Sequence, residues 1–280
     1  MNTKTDAFEE LLALKRVRRS HVGRYVAAAA VLAVVAWIIV AFARGQIAWS
    51  VAGEFLTART ILVGLGNTVL LAVLAMLLGI VLGVVIAVMR LSSNPIVNWV
   101  AVGYVWLFRG IPSLLQLLIW FNLALIFPVI GIPGLFEWRT VDVMTPFVAA
   151  FLGLGIAQSA YASEVVRGGL LSVDSGQYEA AKAIGMHRLK ALRRIILPQA
   201  MRVILPPLGN EFIGMVKWTS LASVIQFSEV MYAAESIYYV NSRVIELLFV
   251  ATFWYLAVIS ILSILQSRVE RYFAKGARHG

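Results

Sequence analysis

The sequence predicts an all-α membrane protein with six transmembrane helices and both termini in the cytoplasm. Hydrophobic residues make up 61% of the 280 residues and charged residues only 14%, whereas soluble domains carry about 25% charged residues. Six apolar runs reach the roughly 20 residues that a helix needs to cross a bilayer. Because the basic residues lie in blocks between these runs, they can be assigned to sides of the membrane.

The six runs cover residues 25–43, 60–89, 97–127, 143–163, 203–225 and 247–267. The first run is not interpreted as a cleavable signal peptide, because a long charged leader precedes it and no cleavage site followed by a polar mature sequence appears. In the second run, Gly79 and Gly83 are separated by three residues, a spacing that permits close packing of helices.

The third run is long and contains Arg109. We predict a single crossing that is broken at Gly110-Ile111-Pro112, because proline removes a backbone donor. A straight helix over 97–127 would measure roughly 46 Å, so part of this run must tilt, kink or lie at the interface. A turn is predicted after it from a cluster of breaking residues, namely Pro128, Gly131, Pro133 and Gly134.

Charge placement orients these spans. With one crossing at 97–127, the N-terminus, the 89–96 turn, the 164–202 loop and the C-terminal tail share one side, and the positive-inside rule makes that side cytoplasmic. Only Arg44, Arg59, Arg139 and Arg243 lie on the other side, while Arg109 and Lys217 fall inside the membrane. The cytoplasmic side carries 18 of the 24 basic residues, namely Lys4, Lys15, Arg16, Arg18, Arg19, Arg24, Arg90, Arg167, Lys182, Arg188, Lys190, Arg193, Arg194, Arg202, Arg268, Arg271, Lys275 and Arg278.

Several function classes find no support in the sequence. The chain has no cysteine and no phosphate-binding loop of the G-x-x-x-x-G-K-[ST] type, so neither thiol chemistry nor an ATPase of that kind is indicated. Its histidines, His21, His187 and His279, have no second ligand at metal spacing. Ser159 has no histidine within the membrane to act as its base. The net charge of +10 is explained by the basic residues concentrated on the cytoplasmic side of the membrane, so no nucleic-acid partner is expected.

The loop over 172–198 carries the most local information. Asp174 or Ser175 can cap a helix over 177–184, with Glu179 in its first turn near the positive end of the helix dipole. Gly185 is expected to end this helix in a left-handed conformation. A second, basic helix is predicted over 187–196, with Pro198 stopping it. The slim first helix suits docking to another protein, while contact of the basic residues with lipid headgroups is an equally open interpretation.

The spacing of the loop is specific. It is set by Glu179, Ala180, Ala181, Gly185, Ile195, Leu197 and Pro198, and it resembles the EAA loop of bacterial ABC importer permeases. Four further segments resemble the polar amino-acid branch of that family, namely 107–112, 167–169, 205–212 and 217–221. The resemblance covers 64–270, and many members of the branch have five spans, so the helix at 25–43 is identified as an extra N-terminal one.

The resemblance implies a type I, MetI-like permease fold in the bacterial inner membrane, in a transport subunit that is not itself an enzyme. It implies a dimer with a second copy or a sister permease, two ABC ATPase subunits, a periplasmic amino-acid-binding protein and an amino-acid substrate. ATP and magnesium would be bound by the ATPase, so this chain is expected to hold no cofactor. Closure of the ATPases would move the coupling residues and produce alternating access.

The charges within the membrane allow two interpretations. Arg109 and Lys217 are costly in hydrocarbon and must face protein or water, either in a salt bridge with Glu211 or in a site for the substrate carboxylate. By helical spacing, Asn210, Gly214, Lys217 and Leu221 share one face. Trp218, where relatives often have a small, amide or acidic residue, could stack on a cationic group or narrow the site. The resemblance implies a substrate path at Arg109, Gly110, Pro112, Asn210, Lys217, Trp218, Thr219 and Ser220.

The predicted organisation is a basic cytoplasmic segment at 1–24, the extra helix at 25–43, a permease domain at 60–270 that contains the coupling loop, and a cytoplasmic tail at 271–280. The main alternative function is an ion-coupled secondary transporter or channel. Such proteins commonly have inverted repeats and intramembrane carboxylates, whereas no repeat is visible here and Glu211 is the only acidic residue well inside a predicted span. A membrane scaffold protein is a further alternative.

Overall fold

The computed structural model describes residues 22–132 and 134–274. Over these residues the chain is mostly helical, with one two-stranded sheet. It divides into two compact units, Met1–Ala48 and Trp49–Gly280. The predicted basic leader up to residue 21 and the end of the predicted tail, 275–280, lie outside the described residues.

The first unit contains one long helix, α1, Val22–Ala43, with 22 residues. It is long and apolar enough to cross a membrane, and Arg24 near its start is its only charged residue. The helix predicted over 25–43 is therefore confirmed as a helix.

The second unit is built from eleven helices of the α type in its described part. They are α2 Trp49–Leu56, α3 Arg59–Arg90, α4 Pro95–Gly110, α5 Ser113–Phe121, α6 Thr140–Val143, α7 Pro146–Leu171, α8 Ser175–Ala183, α9 Arg188–Ala191, α10 Leu197–Trp218, α11 Val230–Asn241 and α12 Val244–Ala274. Two 3-10 turns, Leu123–Leu125 and Thr219–Ile225, and one π-turn, Leu192–Ile196, complete the helical structure.

Four described helices, α1, α3, α7 and α12, are long and apolar enough to cross a membrane. The pair α4 and α5 adds a fifth crossing if it forms one span, and its two halves meet at an angle of 99°. The predicted break at Gly110-Ile111-Pro112 is thus confirmed. Helix α10 has 22 residues but is less apolar, because it includes three charged residues, Arg202, Glu211 and Lys217. It also has two internal prolines, Pro206 and Pro207. A sixth crossing there stays a prediction.

The fourth predicted run, 143–163, is displaced in the structure. Helix α7 starts later because the Thr145 hydroxyl caps it, accepting from the Val148 amide at 3.3 Å, with Pro146 in the first turn. It also runs further, to Leu171. Glu164 forms ion pairs with Arg167 at 2.8 Å and with Arg90 of α3, so these charged residues are paired and do not end the helix.

A β-hairpin is the described chain's departure from an all-α fold. Strand β1, Val129–Ile132, pairs antiparallel with β2, Phe136–Arg139. The region predicted as a simple turn is therefore a hairpin, because β-branched and aromatic side chains on both sides of it favour strands. Position 131 requires glycine because the two strands approach closely there: a Cβ atom would lie 2.1 Å from the Phe136 carbonyl oxygen.

Close packing of α3 against α7 forms the centre of the main core. A Cβ atom on Gly79 would lie 2.8 Å from Cγ of Gln158, and one on Gly83 would lie 2.8 Å from Cβ of Ala162. The close contact predicted from the glycine spacing is confirmed. This core continues to α5 and α10, and its fully buried members include Leu71, Leu117, Leu154 and Met215.

A second core joins α2, the start of α3, α11 and the start of α12. Its buried members are Ala52, Ile61, Val230, Ala233, Ala234, Leu247, Val250 and Ala251. The start of α3 packs in the second core and the rest of α3 packs in the main core. Helix α3 therefore contacts the elements of both cores, including those that carry the candidate site.

Candidate functional site

Helix α8 is closed at both ends by local interactions. At its start, the Asp174 carboxylate accepts from the Gly176 amide at 2.7 Å. At its end, Gly185 has a φ of +70°, its amide donates to the Lys182 carbonyl, and the Met186 amide donates to the Ala181 carbonyl, both at 3.0 Å. These two bonds form a Schellman motif. The predicted cap, helix and left-handed glycine are confirmed, although the helix starts two residues earlier than predicted.

Side chains attach α8 to the neighbouring long helices. The Tyr178 hydroxyl donates to the Leu170 carbonyl of α7 at 3.1 Å, and the Gln199 amide of α10 donates to Gln177 at 3.4 Å. Ala181 is 1% exposed, whereas Glu179 and Ala180 are exposed. One side of α8 therefore packs on the protein, and the other presents a carboxylate and small side chains.

The exposed part of this loop also includes large apolar side chains. Ile184 is 74% exposed and Leu189 is 67% exposed. They flank Gly185, which is itself exposed with open space around its Cα.

The prediction that Pro198 stops the second loop helix is wrong. The short helix α9 passes into the π-turn, where the Leu197 amide donates to the Leu192 carbonyl, and then directly into α10. Pro198 lies in the first turn of α10, where a missing N–H is tolerated. Ile195 packs against the main core, while Leu197 and Pro198 are exposed.

Within the helical bundle, a single aromatic residue links two of the predicted path segments. The Arg109 guanidinium lies 5.1 Å from the centroid of the Tyr161 ring, within the range of a cation–π interaction. The same ring contacts Trp218 edge-on, with centroids 5.6 Å apart and an interplanar angle of 68°. Tyr161 of α7 therefore joins the bend after α4 to the end of α10.

The salt bridge of Glu211 with Arg109 or Lys217, one of the two interpretations of these charges, is not present among the ion pairs of the described residues. Glu211 instead accepts a hydrogen bond from the amide of Gln158, at 3.2 Å. Gln158 is fully buried on α7, so the carboxylate is held against the bundle by a neutral donor.

The face of α10 predicted from helical spacing is open. Asn210 and Lys217 are exposed, and a Cβ atom on Gly214 would meet nothing within 4 Å. Leu221 is half-buried in the 3-10 turn that follows. Asn210 and Lys217 are therefore accessible to a substrate or to a neighbouring chain.

Thr219, one of the expected path residues, is directed into the core. Its side chain is fully buried, and its hydroxyl donates to the Val216 carbonyl at 2.7 Å. The Ser220 hydroxyl likewise donates to the Lys217 carbonyl at 2.7 Å. The reason is that α10 ends at Trp218 and the tighter 3-10 turn rotates the next residues away from the Lys217 face. At the other predicted segment, Gly110 and Pro112 are both exposed at the bend.

Sequence reasoning missed a buried carboxylate next to this region. Glu229 is fully buried and caps α11, accepting from the amides of Met231 at 2.9 Å and Tyr232 at 2.8 Å. The Tyr255 hydroxyl of α12 is hydrogen-bonded to the same carboxylate, and Thr68 of α3 accepts from the Val230 amide at 3.1 Å. The cap fixes the position of three helices. A glutamate just before an apolar run was the available signal.

This chain resembles known proteins in sequence and in fold. A family model described as a binding-protein-dependent transport system inner membrane component matches residues 79–275. The chain belongs to this family. It is therefore a membrane permease component, and its fold is the MetI-like fold of ABC permeases, with at least four apolar spans.

Curated relatives of this permease are named for amino acids. It is 40% identical over 260 residues to the arginine transport system permease protein ArgU of Corynebacterium glutamicum, covering 92% of this chain and 82% of the relative. It is 39% identical over 217 residues to the L-cystine transport system permease protein TcyB of Bacillus subtilis, covering 76% and 87% of the two chains.

Solved structures give the same result. The crystal structure of an amino acid ABC transporter with histidines matches with a TM-score of 0.70 and 34% identity, covering 81% of this permease and all of that chain. The inward-facing MetNI methionine ABC transporter, at 16% identity and a TM-score of 0.63, shares the fold. These matches favour an ABC permease over the ion-coupled transporter or channel that was the sequence-based alternative.

Proposed function

We propose that this permease lines the translocation path of an ATP-driven amino-acid uptake system, together with a second copy or a sister permease. A periplasmic binding protein delivers the amino acid, and two ABC ATPase subunits bind ATP and magnesium and hydrolyse the ATP. The proposal is supported by the family match and by relatives that are named amino-acid permeases.

The proposed topology has six spans in the inner membrane, with both termini in the cytoplasm. The crowding of basic residues on one side of the spans supports this orientation. The ion pairs of Glu164 with Arg90 and Arg167 support it further. They place Arg90, at the end of α3, beside the last turns of α7, which lead into the basic loop at 172–198. In chain order the six proposed spans are α1, α3, the bent pair α4–α5, α7, α10 and α12.

Coupling is assigned to the loop at 172–198, with Glu179, Ala180, Ala181, Gly185, Ile195, Leu197 and Pro198 as its main residues. The observation that supports this assignment is the attachment of α8, which is capped at both ends and hydrogen-bonded to α7 and α10. A helix attached in this way transmits rigid-body motion from a docked protein to the long helices.

The substrate path is assigned to the open side of α10 and the bend after α4. Lys217 and Arg109 are the cations that would meet the α-carboxylate, and Trp218 stands beside both segments through its contact with Tyr161. The open space at Gly214 and Gly110 supports this assignment, because no described side chain occupies it. L-arginine is the first substrate to test, since the arginine relative covers most of the chain.

Reconstitution tests the proposal. The permease is inserted into proteoliposomes with its ATPase subunits and its cognate binding protein, and uptake of radiolabelled L-arginine, L-cystine and L-glutamate is measured with and without ATP. Uptake of at least one amino acid should require both ATP and the binding protein. Uptake driven by a sodium or proton gradient in liposomes that lack the ATPase would instead establish a secondary transporter.

A further inference from the structure

The bend between α4 and α5 leaves a backbone carbonyl without its usual partner. In a continuous helix the Phe108 carbonyl would accept from the amide of residue 112, but that residue is Pro112, which has no N–H. Ile111 has an extended backbone, with φ −87° and ψ +129°, so its own carbonyl also lies outside the regular helix. Both carbonyls need another donor, because unpaired backbone groups in an apolar surrounding are costly.

One side chain supplies both donors. The amide nitrogen of Gln116 donates to the Phe108 carbonyl at 2.9 Å and to the Ile111 carbonyl at 2.8 Å. Gln116 lies in the first turns of α5 and is 3% exposed. Since a primary amide carries two hydrogens, both of its hydrogens are used across the bend.

The two bonds hold the segment that carries Arg109. Phe108 and Ile111 bracket Arg109 and Gly110 in the sequence, so their carbonyls fix the backbone on both sides of the arginine. The Gln116 amide oxygen is buried without a partner in the described residues. Leaving this oxygen unpaired costs free energy, which an apolar side chain of the same length would avoid. The glutamine therefore contributes to this fold through the two hydrogen bonds that it donates across the bend.

We propose that Gln116 is a positioning residue for Arg109: it replaces the backbone donor lost at Pro112 and fixes the bend that directs the guanidinium to Tyr161 and the substrate path. This inference rests on the proposed function, because it takes Arg109 as part of the path. Gln116 itself does not contact the substrate.

The backbone part of the inference is tested by hydrogen–deuterium exchange on the assembled transporter. Gln116→Met keeps the length of the side chain and removes both donors, so amides in 107–116 should exchange at least about tenfold faster, while peptides from α7 and α12 are unchanged. Asn122→Leu is the matched control, since Asn122 donates from its side-chain amide to the Leu118 carbonyl at 2.9 Å, away from the bend. Unchanged exchange in 107–116 would overturn the inference.

The functional part is tested by uptake of L-arginine into proteoliposomes. Gln116→Met should raise the apparent KM at least about fivefold with little change in the amount of assembled complex. In an Arg109→Gln background the same change should add less than about twofold, because Gln116 acts through Arg109. Full additivity of the two changes would contradict a positioning role.

Two further outcomes are distinguishable. If the Gln116→Met protein does not assemble, Gln116→Asn is used in its place, because the shorter side chain cannot reach both carbonyls. Wild-type exchange of the amides in 107–116 in that variant would also overturn the inference. If the wild-type protein transports no amino acid, the proposed function fails, while the exchange experiment still decides whether Gln116 holds the bend.

Discussion

The Arg109 guanidinium lies over the ring of Tyr161, 5.1 Å from its centroid. Arg109 lies in the last turn of α4 and Tyr161 in the middle of α7, so this contact joins two helices of the bundle. Because the same ring also contacts Trp218 in an edge-on arrangement, Tyr161 connects the two segments of the proposed path.

Tyr161→Leu removes the aromatic face that the guanidinium contacts. We expect the apparent KM for L-arginine uptake to rise about two- to fivefold, in keeping with a partly exposed cation–π interaction. Tyr161→Phe is the matched control, since it keeps the ring and loses only the hydroxyl, and it should stay within about twofold of wild type. Equal losses in the two variants would show that the hydroxyl, not the ring face, matters.

Lys217→Met should abolish or strongly reduce uptake without lowering the thermal stability of the complex. The physical reason is that Lys217 is exposed on the open face of α10 and forms no ion pair within the described part of the chain. Adding Glu211→Gln should produce no compensating gain in Tm. A Tm lost in Lys217→Met and regained in the double variant would establish the structural salt bridge instead.

Gly185→Arg should impair coupling. A bulky residue at a φ of +70° is strained, and its side chain would project from an exposed position between Ile184 and the second loop helix. We expect normal insertion, a loss of uptake of at least about tenfold and weaker co-purification of the ATPase. Gly185→Asn is a milder comparison, because asparagine tolerates left-handed backbone. Wild-type uptake by Gly185→Arg would remove the loop from the coupling mechanism.

Single cysteines test the topology, because the chain has no native cysteine. Gln177 of α8, Glu137 of the hairpin and Ser236 of α11 are exposed. Gln177→Cys should react with an impermeant maleimide only from the cytoplasmic side. Glu137→Cys and Ser236→Cys should react only from outside. Labelling of Gln177→Cys from outside would refute the six-span arrangement.

Packing of α3 on α7 is tested with two glycines of the same helix. Gly83→Ala places a Cβ atom 2.8 Å from Cβ of Ala162, whereas Gly66→Ala meets nothing within 4 Å. Overpacking of this kind typically costs about 1–3 kcal/mol, so Gly83→Ala should lower the Tm of the purified permease. Gly66→Ala should leave it unchanged or slightly higher. Similar Tm values for the two variants would mean that α3 and α7 separate easily.

Local features of the chain were predictable because their causes are local. The break at Pro112, the cap at Asp174 and the left-handed Gly185 each depend on residues within a few positions of one another. The hairpin and the passage of Pro198 into α10 were not predicted. The hairpin was not predicted because its glycines and prolines indicate a turn without showing whether strands flank it. Pro198 was mistaken for a stop because the first turn of a helix also accepts proline.

The sequence by itself determined the membrane class and the position of helix α8, and it is the basis of the orientation that we propose for the spans, because hydrophobic length, charge placement and capping are properties of short segments. Only the tertiary structure decided the partners within the bundle. Arg109 meets Tyr161, Glu211 meets Gln158 rather than a cation, and Thr219 turns into the core. The first two contacts join residues that are distant in sequence, and the third depends on the change from α-helix to 3-10 helix at Thr219. All three are therefore set by how the helices pack.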